Sequence, residues 1–235
     1  MIDRMPILAL LALASLPAAA TPPNSQRNYS ITDFDRIRLD GPYQVELRTN
    51  VSPYGRAIGP AASLDGVSIG VEGRTLVVRA GSGSWGGYPG QAQGPVTIEV
   101  GTHDLSTAWI NGSGGLHIDR VKGLSFDLAI QGAGSAKIDN ADADNVKVGI
   151  SGAGSARLGG NSKKLTAIVR GTSALEADGL TVKDAVIGAE GPATIRVTAT
   201  ETAKIDALGP SSVTISGKPA CTVNAKGSAV ITGCE

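Results

Sequence analysis

The 235-residue sequence balances 21 Lys and Arg against 21 Asp and Glu, giving a formal net charge of zero, and only 3% of its residues are aromatic. The charges are interspersed and form no basic stripe, which argues against nucleic acid as a partner, and aromatic platforms for bases or sugars are scarce. Glycine, at 32 residues without a three-residue period, excludes collagen and suits a turn-rich β protein.

In chain order, residues 1–20 carry Asp3 and Arg4, an apolar run from Ile7 to Leu16, and small residues at Ala18 and Ala20. This is the pattern of a secretory signal peptide cut after Ala20, and the run is too short for a membrane anchor. No later stretch reads as a membrane span. Residues 21–28, polar with a Pro-Pro pair, are expected to form a flexible tail. Residues 29–235 then form a single β-solenoid domain, irregular over 29–105 and regular over 106–235.

Within the irregular part, residues 34–40 and 43–49 read as strands joined at Gly41–Pro42, with Ile37, Leu39, Val45 and Leu47 facing inward. Residues 67–71 and 75–80 flank Glu72–Gly73–Arg74, a hairpin-turn composition. Residues 95–100 return to alternation. Two segments interrupt these strands. Residues 52–63, with Pro53, Gly55, Gly59 and Pro60, read as a loop. Residues 81–94 form a glycine-rich excursion carrying Trp85 and Tyr88, an aromatic pair placed either to recognise a partner or to fold back as a lid on the N-terminal end.

From residue 110 one phrase recurs: INGSGGLHI at 110–118, IQGAGSAKI at 130–138 and ISGAGSARL at 150–158, followed by weaker copies. Its central glycines are Gly112, Gly132, Gly152, Gly171, Gly191, Gly209 and Gly227, spaced 20, 20, 19, 20, 18 and 18 residues apart. That is a solenoid period. Apolar or small residues hold every second place, the period of strands. Two places before the glycine stand Ile110, Ile130, Ile150, Val169, Ala189, Ala207 and Ala225; four places after it the volumes run the other way, as a core of constant density requires. The glycines themselves either take a conformation costly for a Cβ or lie where no side chain fits, and on the strand period they are expected to form one inward column. The fold expected is all-β: a parallel β-helix-like solenoid of 18–20-residue coils with irregular N-terminal capping coils.

Cys221 and Cys234 fall in the last repeat. In an oxidising compartment they would close the final coil as a disulfide, although Cys234 lies one place out of the inward phase, which leaves two separate thiols as the other reading. Two sulfurs and two distant histidines make no metal set, and no cofactor motif is present: the GSG and GAG units precede neither Lys-Ser/Thr nor a helix. His103 and His117 have no nucleophile nearby, so no catalytic residue is assigned. The carboxylates between coils (Asp119, Asp139, Asp142, Asp144, Asp178, Asp184, Glu201) could pair across neighbouring turns for polysaccharide cleavage. They are interleaved with lysine and arginine, however, as solvated turn residues are. Outward columns holding Ser135, Lys137, Ser155 and Arg157 offer a flat recognition wall. Ile168, Val186, Leu208 and Val230, apolar at outward parity, suggest a stripe for a subunit contact or a covering loop.

A chain opening FDRIRLDGPYQVELRT, continuing through LVVR and VTIEV to NGSGGLHI, QGAGSAKI and SGAGSARL, resembles the auto-transporter adhesin, head GIN domain family (DUF2807). The likeness covers roughly residues 34–235. It implies a β-helix-like solenoid on exported, periplasmic or envelope-associated bacterial proteins, and supplies no catalytic residues to carry over. The sequence thus points to an exported, non-catalytic envelope module for structure, adhesion or binding, its partner an envelope protein or glycan; homo-oligomer formation through an end or a wall is a further reading. The alternative is a polysaccharide hydrolase or lyase.

Overall fold

A unit of about twenty residues with alternating apolar positions can bury them only against the units before and after it. The computed structural model, which describes residues 25–81 and 94–234, shows the resulting stack. Its irregular part contains β1 (Ser25–Tyr29), β2 (Arg36–Asp40), β3 (Gln44–Arg48), β4 (Tyr54–Gly59), a single-turn α1 (Ala61–Asp65), β5 (Val67–Glu72), β6 (Thr75–Ala80) and β7 (Thr97–Gly101). The regular part contains β8 (Thr107–Gly112), β9 (Gly115–Gly132), β10 (Ser135–Gly152), β11 (Ser155–Gly171), β12 (Ala174–Glu190), β13 (Thr194–Leu208), β14 (Ser212–Ser216), β15 (Ala220–Lys226) and β16 (Val230–Thr232). The protein is an all-β parallel solenoid with irregular N-terminal strands.

Each long strand bends and serves two walls. The first wall runs β1, β4, β7 and β3, then the leading halves of β9 to β13, then β14 and β16. The second runs β5, β6, β2 and β8, then the trailing halves of β9 to β13, then β15. Pairing is parallel throughout the regular part, and β9 and β10 match residue for residue from Gly115↔Ser135 to Gly132↔Gly152. Between the walls lies one apolar core, from Phe34, Ile37 and Leu39 through Ile118, Ile130 and Ile138 to Ile205 and Ile215. At the N-terminal end the parallel pattern is replaced by β4, antiparallel to both β7 and β1, and by β5, antiparallel to β6, and Leu64 of α1 is buried there.

The chain turns from the second wall to the first at the repeated glycines, and here the inward expectation needs correction. Gly132 and Gly152 sit outside, at an exposed corner, with φ of +108° and +116°. The carbonyl of the coil below occupies the place of a side chain: Ala153 N donates to Gly132 O at 2.9 Å, and a Cβ on Gly152 would lie 2.6 Å from that same oxygen. The inward glycines come two residues later. A Cβ on Gly134 would meet Ile110 Cγ2 at 2.6 Å, and one on Gly154 would meet Ile130 Cγ2 at 2.8 Å. On the same alignment buried Ser173 follows Ile150 in the coil below, and where that residue shrinks to Val169 and then Ala189 the inward place is held by buried Ala193 and Ser211 instead of glycine. The volume exchange in the sequence therefore includes this neighbour across the corner as well as the position four places on.

Two irregular segments differ from expectation. Ser25–Tyr29, which overlaps the expected tail at residues 25–28, pairs with β4 along its whole length. The stretch 52–63, expected as a loop, contains β4 and α1. Gly55 and Gly59 have no left-handed backbone and mark close approaches instead: a Cβ on Gly55 would strike Ile31 Cδ1 at 2.0 Å, and one on Gly59 would lie 3.0 Å from Pro95 O.

At the other end, Cys221 and Cys234 form a disulfide with Cα atoms 5.6 Å apart. Two measurements test this construction. Gly132→Ala is expected to lower unfolding stability by about 1–3 kcal/mol, the usual cost of a forced left-handed residue. Gly149→Ala, where an added Cβ meets nothing within 4 Å, is expected to leave stability unchanged or to raise it by up to about 1 kcal/mol. Replacing both cysteines by serine removes a closure worth about 3 kcal/mol for a loop of this length; limited proteolysis should then cut within 217–234 while the coils before it stay protected.

Candidate functional site

In-register parallel strands stack equivalent residues at about 4.8 Å, so each outward position becomes a column. On the first wall one column reads Arg56, Glu99, Glu46, His117, Lys137, Arg157, Glu176 and Arg196. Beside it Ser135 and Ser155 stand next to each other, continued by Ala174, Thr194 and Ser212. The structure thus brings together Ser135, Lys137, Ser155 and Arg157 as an exposed patch.

Most charges of this wall are paired with one another, Arg196 being an exception among the described residues. Arg56 pairs with Glu99, Lys137 Nζ lies 2.7 Å from Asp139, and Arg157 Nε donates to Glu176 at 2.8 Å. His117 lies between two carboxylates, its Nδ1 2.6 Å from Glu46 and its Nε2 2.7 Å from Asp139. A neutral imidazole can donate through only one nitrogen, so this geometry calls for the imidazolium. Burial opposes that charge, but the hydrogen bonds to Asp139 and Glu46 outweigh it and raise the His117 pKa above its ordinary value. Hydrogen bonds from Lys137 and His117 in turn lower that of Asp139.

The other carboxylates weighed from sequence are mostly held by partners as well. Asp119 accepts from the Thr49 amide at 3.0 Å, Asp144 pairs with Lys163 at 2.9 Å and Glu201 with Lys183 at 3.0 Å. His103 bonds Asp33 at 3.0 Å, which lowers the Asp33 pKa. Among the described residues no three His, Cys, Asp or Glu side chains are grouped to hold a metal ion, and no helix is long and apolar enough to cross a membrane. Trp85 and Tyr88, like residues 1–20, lie outside the described residues.

The second wall carries a feature that the sequence reading passed over. Three places before the corner glycines its column reads Trp109, Ala129, Gly149, Ile168 and Gly188, then Asp206 and Asn224. A shallow groove follows this column, with the Trp109 side chain at one end and Ile168, 44% exposed, at the other. Ala129 and Gly149 form its floor. One rim is Asp127 and Lys147, 3.7 Å apart, with Thr166 beyond; on the other side of the floor column the next outward residues of the same strands are exposed Gln131 and Ser151. Gly149 has neither a left-handed φ nor a neighbour that a Cβ would strike, so neither fold nor packing calls for glycine there. Arg38 is in register on the far side of Trp109 and held by Asp40 at 2.8 Å.

The apolar stripe expected from Ile168, Val186, Leu208 and Val230 does not form. Ile168 lies in the groove column, Val186 beside Lys204, Leu208 beside Lys226, and Val230 on the first wall beside Ser212. The shortening of the repeat from 20 to 18 residues and the different distances of these residues from their glycines put them in four columns.

The model of a family described as "Putative auto-transporter adhesin, head GIN domain" matches residues 33–219. Among solved structures, a "putative adhesin" from Bacteroides fragilis is similar with a TM-score of 0.81 at 18% identity, covering 89% of this chain and 96% of its own. A "putative lipid binding protein" from Parabacteroides distasonis gives 0.71 at 18% identity over the same shares. A "putative adhesin" from Parabacteroides merdae gives 0.63 at 16% identity, covering 89% of this chain and 95% of its own. At these identities the likeness establishes the fold. No curated protein matches the chain.

The His117 clasp has a testable pH signature. Because its folded pKa is raised, its contribution to stability is complete below the unfolded value near 6.5 and is lost as pH rises through the folded value. The melting temperature of the wild type should exceed that of His117→Gln most between about pH 5 and 6.5, and the gap should narrow at higher pH.

Proposed function

The chain belongs to the head GIN domain family, and from that premise we propose that it is an exported, non-catalytic binding module of the cell envelope, with the Trp109 groove as its binding site for a glycan. The observation that carries this reading is the floor beneath the indole. On a wall of charged and hydroxyl side chains, the column next to Trp109 is reduced to Ala129 and Gly149, and at Gly149 nothing in the backbone or core requires it. What the missing side chain creates is space. An indole face beside a shallow apolar floor suits the C–H face of a pyranose ring, while Gln131 and Ser151 on one side and Asp127 and Lys147 on the other supply donors and acceptors for its hydroxyls.

The first wall suits this task less well. Lys137 and Arg157 would have to give up Asp139 and Glu176 to bind a ligand, and a displaced ion pair offsets most of what a new one contributes. The same pairing opposes the enzymatic reading. A glycosidase needs one carboxyl whose pKa is raised to act as general acid, whereas Asp139 and Asp33 are shifted downward. The family and the signal-like residues 1–20 support the envelope location proposed.

The test is a glycan-binding screen on the mature chain with variants on both walls. Trp109→Ala and Gly149→Leu should each weaken binding by at least tenfold at unchanged melting temperature, since central contacts of this kind are worth about 2 kcal/mol or more. Ser135→Ala and Arg157→Ala should bind as the wild type does. Binding that survives both groove variants, or glycan turnover that depends on a carboxylate, would contradict the proposal.

A further inference from the structure

The two ends of the rod are finished differently. At the N-terminal end β1 is polar along its length (Ser25, Gln26, Arg27, Asn28, then Tyr29), and Arg27 ties it to Asp65 of α1 at 2.6 Å. Leu64 is only 2% exposed beside β1, and on the second wall β5 carries half-buried Ile69 and Val71. At the C-terminal end β15 pairs only with β13 and β16 only with β14 among the described residues, so both strands present an unpaired edge. The core is open there as well. Ile205 is 0% exposed, yet its partner one coil on, Val223, is 44% exposed; Ala225 is exposed, and Cys221, Ala229 and Ile231 are only half-buried. A parallel edge above an open apolar core is a template for another chain.

We propose that this coil docks a second copy of the same chain, two solenoids meeting end to end about a two-fold axis that passes through both walls. Such an axis reverses each strand and keeps each wall on its own side, so β15 meets its own copy antiparallel, as does β16. Centring β15 on Val223 sets Val223 against Val223, Cys221 against Ala225, Thr222 against Asn224 and Lys226 against Ala220. Inward residues meet inward residues, so the two cores join into one, and Lys226 faces no like charge. Centring β16 on Ile231 preserves parity in the same way. The contact is isologous and closes at two copies. A head-to-tail stack lacks this match, because the far end offers polar β1 and antiparallel β5 rather than an open core. With coil partners 18 residues apart, the docking coil lies just below the roughly 20–30 residues a side of a standard interface, and two rows of main-chain hydrogen bonds add to what its side chains bury.

Sedimentation of the mature, disulfide-intact chain over a range of concentrations should show a dimer in equilibrium with monomer. Val223→Lys, which sets two ammonium groups face to face, should shift the chain to monomer mass while its far-UV circular dichroism and Trp109-dependent binding persist. Asn28→Lys at the opposite end should leave the dimer intact. Val223→Cys, placed on the axis, should give a cross-linked dimer on oxidation. A monomer at every concentration, growth past two copies, or loss of the dimer through Asn28→Lys would overturn the proposal.

Discussion

The fold depends on a contact between backbones at the corners of the first regular coils. Ala133 N donates to Gly112 O and Ala153 N to Gly132 O, each at 2.9 Å, so the hydrogen-bonded ladder of the second wall does not stop where the chain leaves it. The oxygen that accepts this bond stands where the side chain of the next corner residue would project. A residue with a Cβ would lose the bond or the left-handed turn. Glycine keeps both, and in doing so fixes the vertical register: corner sits on corner, and every later residue finds its partner one coil down.

Register then determines the surface. Once coils match residue for residue, like positions form columns, and a column can be an ion ladder, a hydroxyl strip or a groove according to what the sequence places there. His117 shows how a column can also join unlike parts. It lies on the first long strand, with Glu46 of the irregular coils on one side and Asp139 of the next regular coil on the other. The irregular N-terminal part and the repeats meet at this ionic clasp on the outside and at Val45, Leu116 and Ala136 on the inside.

The repeat made most of the architecture readable, because strand alternation and a constant period reflect the same physical demand for stacked burial. The strands around Ile37, Val45, Leu76 and Ile98 were legible for that reason. Gly55 and Gly59 misled because glycine serves close approach as readily as it serves turns, and only three-dimensional neighbours such as Ile31 and Pro95 distinguish the two. The corner glycines misled in the opposite direction: strand parity counts them inward, but a left-handed residue breaks the alternation, and Gly134 and Gly154 take the inward place. Trp109 was overlooked although its signal was present. Read three places before the first five corner glycines, the sequence spells Trp, Ala, Gly, Ile and Gly before the column turns polar at Asp206 and Asn224, and Gly149 has no structural reason to be small. The bonding of His117 was not legible, since Glu46 lies 71 residues away in a coil of irregular length.

If corner-on-corner register is what holds the molecule together, whole coils should be removable and fractions of a coil should not. Excising residues 135–154, one complete 20-residue period, leaves Gly134 joined to Ser155 with every remaining column in step. Excising 135–144 leaves the coils above out of step with those below. Thermal unfolding of the two deletions is the most direct comparison. The register account predicts a cooperative transition and a native-like β spectrum for the whole-coil deletion, and their loss in the half-coil deletion. Equal tolerance of both, or equal collapse, would contradict it.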